Sequence, residues 1–151
     1  MSFSSEVKKE LIRTEFENKC AQMELAAIIR MNGLISTNGS DTGLDIQTES
    51  AAIARRIFKL LKQSFTGPVE LLVRKKMRLK KNNIYIVRIK EDANELLEQL
   101  HIEHEHDGFE QTGLLSSLDT DECRRAYLRG AFIARGSINN PETSSYHLEI
   151  F

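Results

Sequence analysis

Arg74, Lys76, Arg78 and Lys80 stand at every second position of one stretch, with Lys75 and Lys81 beside them. In an extended chain alternate residues share a face. The spacing therefore lines positive charge along one side of a ribbon and leaves Val69, Leu71, Val73, Met77 and Leu79 on the other. Such a row can hold a polyanion. A two-stranded ribbon fits the major groove of duplex DNA, where arginine and lysine reach guanine edges or phosphates, and most such contacts go to phosphates. Tyr85 is the single aromatic residue of this hairpin, which provides little for stacking unpaired bases. The competing reading is a solvated strand charged against aggregation; the regularity of the row on a long hairpin favours binding.

Other groups capable of chemistry are fewer. His101, His104 and His106 alternate with Glu103, Glu105 and Asp107, but their spacing matches no zinc pattern, and they read as a solvated acidic loop or a negative surface. Cys20 and Cys123 have no CxxC spacing, form no disulfide framework and are expected to be reduced, half-buried helix residues. No glycine-rich phosphate loop and no nucleophile with a paired base is visible. The sequence therefore implies no metal and no cofactor.

The elements that position these groups follow from pattern. A chain of 151 residues with 40% hydrophobic residues can bury a core. No apolar run approaches the roughly 20 residues that span a bilayer, and the start lacks a secretion signal, so a cytoplasmic, nucleoid-associated protein with no membrane partner is expected. Net charge is −1, but residues 51 to 90 hold twelve Lys/Arg against Glu70 alone, and residues 91 to 122 hold eleven Asp/Glu and no Lys/Arg. Charge segregated in this way suggests a polyanion-binding face whatever the average.

In chain order, Ser4 or Ser5 is expected to cap a first helix through about Phe16, giving an N-terminal segment over 1–18. A second helix begins near Lys19, followed by a hairpin from Leu34 to Gln47. A helix capped by Thr48 or Ser50 runs to about Ser64, with Ile53, Ile57, Leu60 and Leu61 inward and Arg55, Arg56, Lys59 and Lys62 on the wet side. The basic hairpin spans Val69 to Ile89, and Glu91 to Leu100 forms a further helix. Residues 101–118 read as an acidic connector with an apolar patch at Leu114-Leu115. A last unit over 119–151 opens near Asp119 or Thr120, with Asp119 and Glu122 as a capping box, turns at Asn139-Asn140-Pro141 and ends in one strand.

Two nonamers tie this order together. Leu25-Ala26-Ala27-Ile28-Ile29-Arg30-Met31-Asn32-Gly33 is echoed by Leu128-Arg129-Gly130-Ala131-Phe132-Ile133-Ala134-Arg135-Gly136. Each reads as a helix stopped by a left-handed glycine. Cys20 and Cys123 lie five residues before each opening leucine, and Leu44-Asp45-Ile46 returns as Leu148-Glu149-Ile150. Two halves about a pseudo-two-fold are implied, with the nonamers paired at the seam through Ala26, Ala27, Gly130, Ala131 and Ala134. Arg129 and Arg135 should lie at its edges or ends.

This arrangement resembles the LAGLIDADG homing-endonuclease fold and, more closely, the N-terminal part of the WhiA family of DNA-binding regulators of sporulation and cell division. The resemblance is carried by the first nonamer, the run from Val69 to Asn83 and the run from Gly136 to Ile150, and it covers nearly the whole chain. It implies an α+β fold with an α-ββ-α-ββ-α first half over 19–100 and a truncated second half over 119–151, without the C-terminal helix-turn-helix domain of the family. It also implies that the eighth nonamer position, an acid that helps hold a divalent metal in the nucleases, is here Asn32 and Arg135. A neutral amide and a guanidinium cannot gather the cations that phosphodiester hydrolysis needs. The expectation is a non-enzymatic binder of double-stranded DNA through Arg74, Lys75, Lys76, Arg78, Lys80 and Lys81. Self-association through the seam or an unpaired sheet edge is a further expected contact. The alternatives are a protein-interaction scaffold in cell-division control and an active metal-dependent endonuclease.

Overall fold

The structure is a computed structural model that describes residues 2–14, 18–75, 83–102, 118–142, 145 and 147–151. Helix α1 (Phe3–Leu11) precedes α2 (Asn18–Asn32), which runs straight into the hairpin β1 (Gly33–Asn38) and β2 (Asp41–Thr48). Helix α3 (Ala51–Ser64), strands β3 (Glu70–Arg74) and β4 (Ile84–Ile89) and helix α4 (Asn94–Gln99) complete the first half. Helix α5 (Asp121–Arg135) leads into β5 (Gly136–Ile138), which pairs with β6 (Leu148–Ile150). The first half carries a four-stranded antiparallel sheet of order β1-β2-β4-β3, and the second a two-stranded one.

Local chemistry sets the element ends. The Ser50 hydroxyl accepts from the Ile53 amide and opens α3, satisfying an amide that has no partner inside the helix. Thr120 does the same for α5 through the Cys123 amide, so the cap belongs to Thr120 and not to Asp119. Ser2, not Ser4 or Ser5, caps α1, and the helix ends at Leu11, short of Phe16. Ser4 is occupied elsewhere: its hydroxyl bridges the Ile138 amide and carbonyl and straps α1 to β5.

The two nonamer glycines are required for a reason other than the expected one. Gly136 is extended, at φ −79° and ψ 151°, and Gly33 begins β1 directly with no left-handed turn. A side chain at Gly33 would meet the Ile29 carbonyl oxygen at 2.5 Å, and one at Gly136 would overlap the Phe132 ring. Close approach, not backbone handedness, excludes a Cβ. Among the described residues the left-handed glycine is Gly39, at φ 65°, which with Ser40 turns the β1–β2 hairpin.

The core lies between one sheet face and the helices. Leu44, Ile46, Val87 and Ile89 meet Ile57, Leu60 and Leu61 of α3, Leu25, Ile28 and Ile29 of α2, and Leu96, Leu97 and Leu100 around α4. Among the described residues, helices α2 and α5 make the most extensive helix contact. Ala26 and Ala27 are fully buried there, and at Gly130 a Cβ would overlap the Glu24 backbone carbonyl. Small residues thus set the separation of the two helices.

The hairpins of the two halves have equivalent registers. Gly33 pairs with Ile46, Leu34 with Asp45 and Ile35 with Leu44; Gly136 pairs with Ile150, Ser137 with Glu149 and Ile138 with Leu148. Equivalent residues nonetheless differ in burial. Leu25 is 0% exposed and its counterpart Leu128 59%; Leu44 is 1% exposed and Leu148 59%. In the first half α3 and β4 cover this surface. In the second, Leu128, Leu148 and Ile150 line an apolar groove of about 360 Å³ with Val7, Leu11 and Phe132.

Two further expectations are corrected. Arg56 is not on the wet side of α3 but 5% exposed, because a buried carboxylate receives it. Cys20 and Cys123 are not separate thiols but are joined by a disulfide, with Cα atoms 4.6 Å apart. The pseudo-two-fold places equivalent positions of α2 and α5 opposite each other, which brings the two sulfurs together.

Candidate functional site

Equivalent residues meet at both ends of the helix pair: Cys20 with Cys123 near the starts of α2 and α5, and Asn32 with Arg135 at their ends. The two helices therefore run parallel, and their C-terminal dipole ends converge at the seam base. Partial negative charge accumulates there. Arg135 answers it: its Nε donates to the Met31 carbonyl and to Asn32 Oδ1, both at 3.0 Å. Asn32 Nδ2 donates in turn to the Ala134 carbonyl at 3.1 Å. The two substituted positions thus bond to each other across the seam.

A divalent cation does not fit this donor set. The oxygen that Asn32 could offer already accepts from a guanidinium, and the guanidinium repels a metal ion. Among the described residues no group of three His, Cys, Asp or Glu is placed to hold a metal. Beside the seam base lies a cavity of about 500 Å³ whose wall includes Lys8, Lys9, Asn32, Gln47 and Thr48. Burial pushes the Lys8 ammonium below the ordinary lysine range, and the charge rests 5.8 Å from the centre of the Phe132 ring.

The middle of the seam holds a charged group that the pattern of the sequence did not reveal. Glu24, fully buried on α2, receives Arg56 of α3 through two bonds of 2.6 and 2.9 Å and Arg129 of α5 through a third. Arg56 also donates to the Ile12 and Thr14 carbonyls beyond α1, at 2.7 and 2.8 Å. One carboxylate therefore ties together the N-terminal segment, both seam helices and α3. Arg129, expected at the edge, is mostly buried against it. The available signal was Glu24 itself, an acid set immediately before the apolar nonamer.

The sheet face away from the helices carries paired charges. Asp45 and Arg88, partners in register, form a two-pronged ion pair at 2.8 and 3.0 Å. The hydrogen bond and charge of Asp45 raise the Arg88 pKa further. Lys90 reaches Glu70 at 3.1 Å. Arg74 lies opposite Ile84 at the end of β3, and both it and Lys75 are exposed. Lys76, Arg78, Lys80 and Lys81 lie outside the described residues, as do His104, His106 and the Leu114-Leu115 patch.

The expected separation of an oily from a cationic face is only partly reproduced. Leu71 and Val73 pair with Val87 and Tyr85, on the side opposite Arg74, as alternation requires. They are nonetheless 42% and 51% exposed, because β3 is an edge strand and the helices do not reach over it.

Helices paired at a seam, each feeding a hairpin of a sheet, define a LAGLIDADG-like domain, here with an amide and a guanidinium at the eighth nonamer positions. Residues 18–103 match the family model described as the WhiA N-terminal LAGLIDADG-like domain, and residues 124–151 match the WhiA LAGLIDADG-like domain. The chain belongs to the WhiA family. It is 57% identical to a probable cell division protein WhiA of Oceanobacillus iheyensis and 58% identical to one of Bacillus velezensis, in each case over 100% of this chain and 48% of the relative. The chain thus spans about half the length of these relatives. Among solved structures it is similar to an N-terminal LAGLIDADG domain of WhiA, with a TM-score of 0.68 and 27% identity over 99% of this chain and 65% of that one. Full-length WhiA from Thermatoga maritima gives a TM-score of 0.65 and 26% identity over 99% of this chain and 44% of that one.

Proposed function

We propose that this chain is a non-enzymatic DNA-binding module acting in the control of transcription, sporulation and cell division, on a nuclease-like frame that no longer cuts. The observation that carries the reading is the seam base, where Arg135 occupies Asn32 and both helix ends at the place a nuclease would need anionic oxygens. Double-stranded DNA would lie along the sheet face that carries Asp45 and Arg88, with Arg74 and Lys75 at the end of β3 and the basic residues Lys76, Arg78, Lys80 and Lys81 next in sequence. The family relationship supports this choice of ligand, since the LAGLIDADG frame is one used on duplex DNA.

Titration of duplex DNA at several ionic strengths tests the proposal. If four to six phosphates are engaged, the logarithm of affinity falls against the logarithm of salt with a slope of about −4 to −5. Replacing the six basic residues by alanine should weaken binding to all duplexes alike and flatten that slope. Unaltered affinity would make the row a solvated surface. Supercoiled plasmid incubated with Mg²⁺ should stay intact; nicking that EDTA abolishes would restore an endonuclease.

A further inference from the structure

We propose that Cys20 and Cys123 form a reversible thiol–disulfide staple that sets how tightly the two halves are held together, and through this the geometry offered to DNA. The bond crosses the seam between residues 103 apart in sequence, one on each nonamer helix. It closes one end of the parallel pair, and the Asn32–Arg135 bonds close the other. One end is covalent and open to redox chemistry; the other is polar and inert to it.

The surroundings make the bond separable from the main core. Cys20, Met23, Cys123 and Ala126 form a small cluster of their own, bordered by Leu118 and by Tyr127, which also packs against the main core that joins the sheet to α3 and α4. Cys20 keeps 9% exposure while Cys123 has none, so a small reagent approaches the bond from the Cys20 side. The reductant is a low-molecular-weight thiol. Its thiolate attacks the Cys20 sulfur, the S–S bond breaks, and Cys123 leaves as thiolate and takes a proton. A second small thiolate attacks the small-molecule sulfur of the mixed disulfide and frees Cys20. Two small thiols become one small disulfide while two protein thiols form, and oxidation reverses the sequence.

Breaking the staple removes a cross-link over a long loop, which enlarges the unfolded ensemble and leaves the N-terminal ends of α2 and α5 joined by packing alone. The Glu24 carboxylate and the small residues around Gly130 still hold the middle of the seam. Reduction should therefore loosen the angle between the halves without unfolding them. The effect on DNA rests on the binding role proposed above; the effect on stability does not.

The experiment equilibrates the whole chain in buffers of a small thiol and its disulfide, counts alkylatable thiols by mass, and measures melting and duplex affinity in each form. Oxidised chain should have no alkylatable thiol and reduced chain two, and the melting temperature should fall by about 5–15 °C on reduction and recover on reoxidation. The Cys20→Ser/Cys123→Ser chain should melt with the reduced form and ignore the buffer. A melting difference under about 2 °C, thiols that stay alkylatable in oxidising buffer, or a double variant that responds like the parent overturns the staple. Duplex affinity should drop several-fold on reduction. Equal affinity in both forms overturns the link to DNA geometry, whereas loss of binding in both forms, with the melting difference intact, refutes the DNA reading and upholds the staple.

Discussion

Replacing Glu24 by alanine should be among the most damaging single changes in this chain. The carboxylate is fully buried and faces two guanidiniums, Arg56 at 5% and Arg129 at 15% side-chain exposure. Removing it leaves both in a low-dielectric setting without an anion. Breaking a buried pair from one side costs about 3–5 kcal/mol, and a chain of this size loses about 2–4 °C of melting temperature per kcal/mol, so the midpoint should fall by roughly 6–20 °C. Urea and thermal unfolding of the Glu24→Ala chain measure it, and an unchanged denaturant slope would show that the denatured state is not the cause. A second chain sharpens the test. Exchanging Glu24, Arg56 and Arg129 together for Leu, Met and Met removes all three charges and should recover much of the loss. Arg56 also holds the Ile12 and Thr14 carbonyls, so the triple exchange should still leave the N-terminal segment more open to protease. A Glu24→Ala chain that melts within about 2 °C of its parent would refute the reasoning.

Lys8 is depressed from the ordinary 10.5 by burial, so between its folded and unfolded pKa values the unfolded chain binds more protons and stability rises with pH. The stability difference between the Lys8→Met chain and its parent should accordingly shrink as pH rises through that window toward 10.5, as followed by urea unfolding at several pH values. On the second half, Leu128 and Leu148 present an apolar groove to solvent, and surfaces of that kind favour association. Sedimentation should show mass rising with concentration, and Leu128→Glu with Leu148→Glu should suppress the rise; identical behaviour of the two chains would remove this face as the contact.

Much of this frame is legible because it is periodic or repeated. The nonamers locate the seam, Ser50 and the Ile53, Ile57, Leu60 and Leu61 spacing locate α3, and alternation places Leu71 opposite in direction to Arg74. The Cys20–Cys123 bond is written in the equal offsets of the two cysteines from their nonamers, yet it becomes visible only once the helices are known to run parallel about the seam. The Glu24 cluster is harder to see. Its partners lie 32 and 105 residues away, and Arg56 follows Arg55 on a helix whose charges otherwise face water. Charge complementarity over such separations has no period, so only the packed structure reveals it. Arg135 is out of place by analogy with an acid-bearing family, and becomes intelligible once two converging helix ends are seen to call for a cation.

The strap between Ser4 and Ile138 has a consequence for the order of assembly. Ser4 finds its hydrogen-bonding partner 134 positions later, and everything between the two must emerge from the ribosome before that partner exists. Contacts so distant along the chain form after local hairpins and helices have gathered. Helix α1 is thus made long before it is fastened, and until β5 arrives it waits beside a half-built neighbour.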